Sequence, residues 1–199
     1  MATFSTKIVA GADDGSTDSG SSTLNITAPT IIVGTLGGTQ NAFLRYPAVT
    51  IPQGATITAA TLTFKAAFTV SSLPAFTIYL NNVDNATAPT TYAGFNALAL
   101  TTTSATYIMP TWIVNNTYVS SDISSVIQEV INRPGWSSGN ALMALVYEAS
   151  TGGSQYRQFY AYETSAADSV ALDITYTVGG TAGTITNVSS MTNVADITF

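Results

Sequence analysis

Carboxylates are nearly the whole catalytic inventory of this 199-residue chain. It contains no His and no Cys, which removes serine–histidine triads, cysteine nucleophiles, imidazole bases and the usual zinc sites. Glu148 and Glu163 are the right residue type for a glycosidase pair, in which one carboxyl protonates the leaving group and the other attacks or activates water. Each also reads as a single acidic residue on a strand, paired with Arg157 or Arg45. The expectation is a protein that is not an enzyme. Asp13, Asp14 and Asp18 lie in the segment GADDGSTDSGSST, residues 11–23. Hard oxygen ligands on a turn suit calcium, although the spacing is not that of an EF-hand and acidic turns are common. Calcium is the one cofactor the chain suggests.

Two further groups of side chains can recognise rather than react. Arg45 and Arg157 sit within apolar strand patterns, where a guanidinium needs a partner; Glu163, Glu148 and Asp122 are the candidates, in an ion pair that fixes register. Trp112 and Trp136, with Tyr156, Tyr160 and Tyr162, are the right residue types for a sugar-stacking platform, although Tyr and Trp at sandwich faces are more often core or interface. The three tyrosines share one strand face and act together, either inside or as an exposed patch.

The elements that must position these groups follow from composition and periodicity. Apolar residues make up 46% of the chain and charged ones 8%, against about 25% charged in ordinary globular proteins. The surface must therefore be built from Thr, Ser, Asn and Gly, which suits the solvent face of strands and packing among other proteins, where charge is costly to desolvate. The net charge is −6 with five cations and no basic stripe, which argues against nucleic acid. No run approaches the ~18 apolar residues of a membrane helix. The start, Met-Ala-Thr-Phe-Ser, has no apolar signal region; the expectation is a cytoplasmically made chain without a signal peptide.

Strand patterns are read at Phe4–Val9, Leu24–Ile26, Thr30–Val33, Ala42–Tyr46, Phe76–Leu80, Tyr107–Met109, Trp112–Val114, Ala141–Glu148, Gln155–Glu163 and Ala171–Val178. The clearest spans 57–64, with Ile57, Ala59, Thr61 and Thr63 on one face and Thr58, Ala60, Leu62 and Phe64 on the other. Residues 11–23 read as a polar loop, and 86–105 as a long loop with one short strand or turn. One segment breaks the pattern: Ile123, Val126, Ile127, Val130 and Ile131 make one apolar helical face over 122–132. Ser121 or Asp122 can cap its start, Arg133 faces the C-terminal dipole, and Pro134-Gly135 ends it. Short strands with regular turn signals predict an all-β, jelly-roll-like antiparallel sandwich over 1–178 with one short helix. A Gly-rich hinge and C-terminal arm follow over 179–199. The arm carries Ile185, Val188, Met191, Val194, Ile197 and Phe199 and no positive charge; it reads as a free terminus or as a segment that adds to a neighbouring subunit.

Four blocks carry a resemblance to a known family. They are Phe43-Leu44-Arg45-Tyr46 with Ile51-Pro52-Gln53-Gly54-Ala55 and the strand to Leu62; Asp122 to Val130; Gly135-Trp136-Ser137-Ser138-Gly139-Asn140-Ala141-Leu142; and Phe159 to Thr164 with Ala171 to Tyr176. In this order, over roughly residues 9–178, they resemble the DNRLRE-type β-sandwich modules, a group that includes glycan-binding modules and phage structural proteins. The resemblance implies a sandwich without a cofactor. For a free-standing copy it implies a virion structural protein of a tailed phage, above all a capsid decoration or cement protein. Its expected partners are capsid or other virion proteins and further copies of itself, with no nucleic acid and no membrane. The alternative is a carbohydrate- or receptor-binding module, placed on the tail.

Overall fold

Alternating apolar residues and turn chemistry at short intervals fold this chain almost wholly as strands. The computed structural model describes residues 1–70, 75–149 and 155–179. Its strands are β1 Ala2–Lys7, β2 Asp14–Asp18, β3 Thr23–Asn25, β4 Thr30–Thr35, β5 Thr39–Gln40, β6 Ala42–Tyr46, β7 Thr56–Lys65, β8 Ala75–Leu80, β9 Ala105–Ile108, β10 Thr117–Val119, β11 Leu142–Glu148, β12 Tyr156–Tyr160 and β13 Ala171–Thr177. The helices are α1 Tyr92–Asn96 and α2 Ser124–Ile131. The architecture is an all-β antiparallel sandwich and not a closed barrel. The predicted arm, with Ile185, Val188, Met191, Val194, Ile197 and Phe199, lies outside the described residues.

A four-stranded sheet, in the order β1-β13-β7-β10, packs against a six-stranded sheet, β3-β2-β6-β11-β8-β9; a smaller sheet, β12-β4-β5, completes the core. Leu62, Phe64, Leu172 and Ile174 face Leu44, Tyr46, Ile78, Leu142 and Val146 across one main cluster. The outward positions of the four-stranded sheet are Thr3, Ser5, Thr61, Thr63 and Asp173, so the Thr-rich composition becomes a hydroxyl-rich sheet face. The six-stranded sheet is instead covered on both faces. Leu142, Ala144 and Val146 enter the main core, while Met143 and Leu145 pack with Phe43, Ala86 and Phe95 in a second cluster. This accounts for the unbroken apolar run of β11, since a strand buried on both faces has no polar side. α1 supplies Phe95 to that cluster, and the Thr91 hydroxyl caps it by accepting the Gly94 N–H at 3.0 Å. Of the strand or turn expected in the 86–105 segment, it is a helical turn that forms.

Three other expectations are corrected. Residues 14–18, read as loop, form β2, which is buried between β3 and β6. Its polar sequence hides this because small residues make the fit: a Cβ on Gly15 would stand 2.6 Å from the Asn25 carbonyl oxygen and 2.9 Å from the Phe43 ring. The phase of β7 changes at Thr58, where Thr175 pairs with Ala59 but Tyr176 pairs with Ile57. The bulge lets Ile57 join Ala60 in the core instead of the Thr61 face. Trp112 makes an isolated bridge to Val70 rather than a strand over 112–114.

The predicted helix forms with its whole apolar face buried: Ile123, Val126, Ile127, Val130 and Ile131. Its placement satisfies an edge. Beyond the three residues paired with β10, the N–H groups of β7 donate to side chains: Leu62 to Ser120 Oγ at 3.0 Å, Ala60 to Asp122 Oδ1 at 2.9 Å and Ile57 to Gln128 Oε1 at 2.7 Å. The Leu62 and Ala60 carbonyls accept from Ser120 N–H and Ile123 N–H, and Gln128 Nε2 donates to the carbonyl of Ala55, just before β7. Asp122 also accepts the Ser124 N–H and hydroxyl, so it opens the helix as it closes the strand edge. Burial alone would raise its carboxyl, but these bonds hold it below the ordinary range. Arg133 does not face the helix terminus; it pairs with Asp84 at 2.6 Å and donates to Asn82.

Asp122→Ala removes one acceptor shared by a strand and a helix, and is expected to cost about 2–3 kcal/mol. Asp122→Asn keeps an acceptor oxygen and should cost less than half of that. Urea unfolding of both variants checks this; an Asp122→Ala midpoint equal to that of the parent would refute the edge-closing role.

Candidate functional site

The acidic segment does not converge on a metal. Asp13 is buried against Arg45, with Oδ1 at 2.6 Å from Nη1. Asp14 points the other way into the sandwich, and Asp18, at the far end of β2, folds back to accept from Gly20 N–H and the Ser21 hydroxyl. Asp13 ends the short 3-10 turn before β2, and Asp14 and Asp18 stand at opposite ends of the strand, about 13 Å apart at ~3.3 Å per residue, so the three do not share one ion. Among the described residues, no cluster of three or more Asp or Glu has metal-binding geometry. The calcium reading of Asp13, Asp14 and Asp18 is thereby corrected.

Asp14 is unusual in another way. It is 1% exposed; Oδ2 accepts the Tyr162 N–H at 3.0 Å, and Oδ1 accepts no hydrogen bond among the described residues. Burial pushes its pKa up to about 7, the Tyr162 N–H opposes this, and the charges of Glu163 and Asp13 add to the rise. Tyr46, buried in the same core, is held far above its ordinary value by burial and by the Asp14 and Asp173 charges. The Tyr162 contact staples the connection after β12 to β2, so the carboxyl serves as a neutral, internal acceptor at neutral to acidic pH.

The arginines find partners other than those expected. Arg45 pairs with Asp13 and donates to the Ala86 carbonyl. Arg157 is fully buried; its guanidinium donates to the carbonyls of Pro110 at 2.6 Å and Tyr156 at 3.1 Å, and lies 5.7 Å from the Trp112 ring centre. Burial lowers its pKa to about 10, with Tyr107 and Tyr118 opposing, so it stays charged at neutral pH. Glu148 accepts from the Thr35 hydroxyl, whereas Glu163 lies against Gly11 on the surface. The two stand in different surroundings and line neither of the two concavities described below.

The aromatic platform is also corrected. Trp112 and Trp136 belong to the core: Trp112 stacks on Tyr118 at 5.0 Å, and the Trp136 indole donates to the Ile51 carbonyl at 2.9 Å. Neither indole is on a contact surface. Tyr156 and Tyr160 remain half-buried on the outer side of β12, but Tyr162 lies beyond the end of that strand and packs on the main core.

What the surface does offer was missed by reading the sequence. Phe68, Ile108, Ile113, Val114 and Val119 are exposed, Ile108 by 74%. They lie on the edge strands β9 and β10 and on residues 66–70 and 112–116, which meet through the Val70–Trp112 bridge. Val114 N–H donates to the Thr69 hydroxyl and the Ser121 hydroxyl to the Thr106 carbonyl, which ties these segments together. The signal was present as β-branched residues that alternate with buried ones, but exposure is a property of which edge they reach. A separate groove of about 230 Å³ runs beside β2 and β4, lined by Ser16, Asp18, Asn25, Thr30 and Gln40.

The Asp14 carboxyl gives a pH dependence of known sign. Its folded value of about 7 lies above the unfolded 3.8, so the folded state holds the extra proton. Its contribution is full below about pH 4, is lost at up to about 1.4 kcal/mol per pH unit as pH rises through about 7, and levels off above that. Asp14→Asn should flatten this slope. Unfolding free energies at pH 5, 6, 7 and 8 test it, and parallel pH curves for the two proteins would count against it.

Comparison with protein-family models and with curated proteins returns no match to this chain.

Proposed function

We propose that this chain is a non-catalytic docking sandwich: a virion structural protein of a tailed phage, acting as a capsid decoration or cement subunit that binds capsid proteins and further copies of itself. The observation that carries the reading is the exposed apolar side formed by β9, β10 and their connections. Large apolar side chains gathered at one side of a domain favour burial against a partner, at about 25 cal/mol per Å² removed from water. The low charge content supports it, because a chain with 8% charged residues has few charges to desolvate at an interface. The resemblance of four sequence blocks to modules found in phage structural proteins points the same way.

A second reading rests on the groove beside β2 and β4. Its hydroxyl, amide and carboxylate groups match the hydroxyls of a neutral sugar, as in a carbohydrate- or receptor-binding module. The indoles take no part in it, because they are internal.

Copy number and position on purified particles separate the two. Hundreds of copies on the head support decoration; a few at the tail, with glycan binding lost on Asn25→Ala or Gln40→Ala, support recognition. Ile108→Asp combined with Val119→Asp should lower occupancy on heads at least tenfold while the unfolding midpoint stays within a few degrees. Absence from purified particles, or full occupancy by that variant, would overturn the decoration reading.

A further inference from the structure

β1 and β7 flank β13 and run in the same direction, and each ends in lysine. Lys7 and Lys65 therefore reach the same end of the four-stranded sheet. Lys7 is paired with Ala171, Ala171 with Thr63, and Lys65 with Thr117. All five leave the sheet on its outer face, because Leu62, Phe64 and Leu172 take the inner one. Strands two apart stand about 9–10 Å from each other; Ala171 lies between Lys7 and Thr63, and Lys65 follows two residues further along β7. A concavity of about 270 Å³ results, walled by Ala167, Asp168 and Ser169 on one side and by Asn115 on the other.

The hydrogen-bonding groups around this space are mostly donors. Lys65 Nζ meets Asp168 Oδ1 at 2.8 Å, and Lys7 Nζ donates to the Ala167 carbonyl. An ammonium has three protons, so each lysine keeps two donors beyond these bonds. Asn115 Oδ1 accepts from the Tyr160 hydroxyl at 3.0 Å, which leaves its NH₂ as the remaining polar end. Thr63 and Thr117 add hydroxyls. Two cations and one carboxylate leave one excess positive charge, in a chain whose net charge is −6 with five cations in all.

We propose that this concavity binds a small oxyanion, a carboxylate, phosphate or sulfate group, between Lys7 and Lys65. Asp168 is the built-in counter-ion that the ligand displaces from Lys65. This site is independent of the apolar side on which the docking reading rests.

The test is a titration of the isotope-labelled chain with inorganic phosphate, followed by amide chemical shifts, against chloride at matched ionic strength. Saturable shifts are expected at Thr63, Lys65, Thr117 and Ala171. Lys65→Gln or Lys7→Gln should weaken binding about tenfold or more, and Ala171→Leu should block it with both charges in place. Asp168→Asn should tighten it several-fold, whereas a merely structural ion pair would give weaker binding or none through a loosened loop. A parallel titration with glycerol phosphate identifies the source: tighter binding of the ester assigns the site to an anionic group on an organic molecule, and equal binding to the free ion. Shifts no larger than those with chloride, or an Asp168→Asn variant that binds no tighter, would overturn the proposal. Unchanged shifts elsewhere in each variant establish that it is folded.

Discussion

A long strand in the middle of a sheet needs a partner along both edges, and β7 has one for only part of its length. β10 pairs with three of its residues; Ser120, Asp122 and Gln128 satisfy the rest with side-chain oxygens. Much of the architecture follows from this substitution. Acceptors spaced along 120–128 must meet donors spaced along 57–62, which sets the start of α2 and its angle to the sheet. Once placed, α2 delivers Val126, Ile127, Val130 and Ile131 to the main core. Its outward side reaches the other layer: Glu129 accepts from both Thr102 and Thr103, through backbone and hydroxyl. Burial would raise the Glu129 carboxyl, but these bonds outweigh it and hold the pKa at about 2. The same geometry blunts an edge that would otherwise recruit a foreign strand.

The sparse cations are spent in a similar way. Lys7 bonds the Ala167 carbonyl, Arg45 bonds Asp13 and the Ala86 carbonyl, and Lys65 bonds Asp168. Arg133 bonds Asp84 and Asn82, and Arg157 bonds the Pro110 carbonyl. Each ties a connecting segment to a strand or to the end of the helix. Only Arg157 is fully buried, yet all five cations act as fasteners between segments.

Periodicity made much of this fold legible. Strands with one apolar face, such as β13 with Leu172, Ile174 and Tyr176, and the helix with its i, i+3, i+4 stripe could be read directly, because burial on one side writes itself into spacing. β11 could be read as central because both faces are apolar. β2 could not: Asp14-Gly15-Ser16-Thr17-Asp18 is buried through pairing on both edges and close approach at Gly15, neither of which leaves an apolar trace. The bulge at Thr58 was invisible for the same reason, as it depends on register against β13. Partner choice for Arg45 and Arg157 was misjudged because sequence shows which charges exist but not which lie across a sheet. The indoles illustrate the converse: a residue type suited to recognition was consumed by the core. Exposed Ile108 and Val119 are ordinary β-branched residues until the sheet order places them at its margins.

The position of β13 bears on how the chain comes to be folded. β13 follows both β1 and β7 in the sequence, yet it lies between them in the sheet. Until it emerges, both of those strands have an open hydrogen-bonding edge, and the apolar faces of Ile174 and Leu172 are missing from the core. Pairing across so long a sequence interval is slow to nucleate. A nascent chain of this topology must therefore wait for β13 before its four-stranded sheet can form, with exposed edges in the meantime. The order of synthesis, and not only the final packing, thus decides how long those edges stand open.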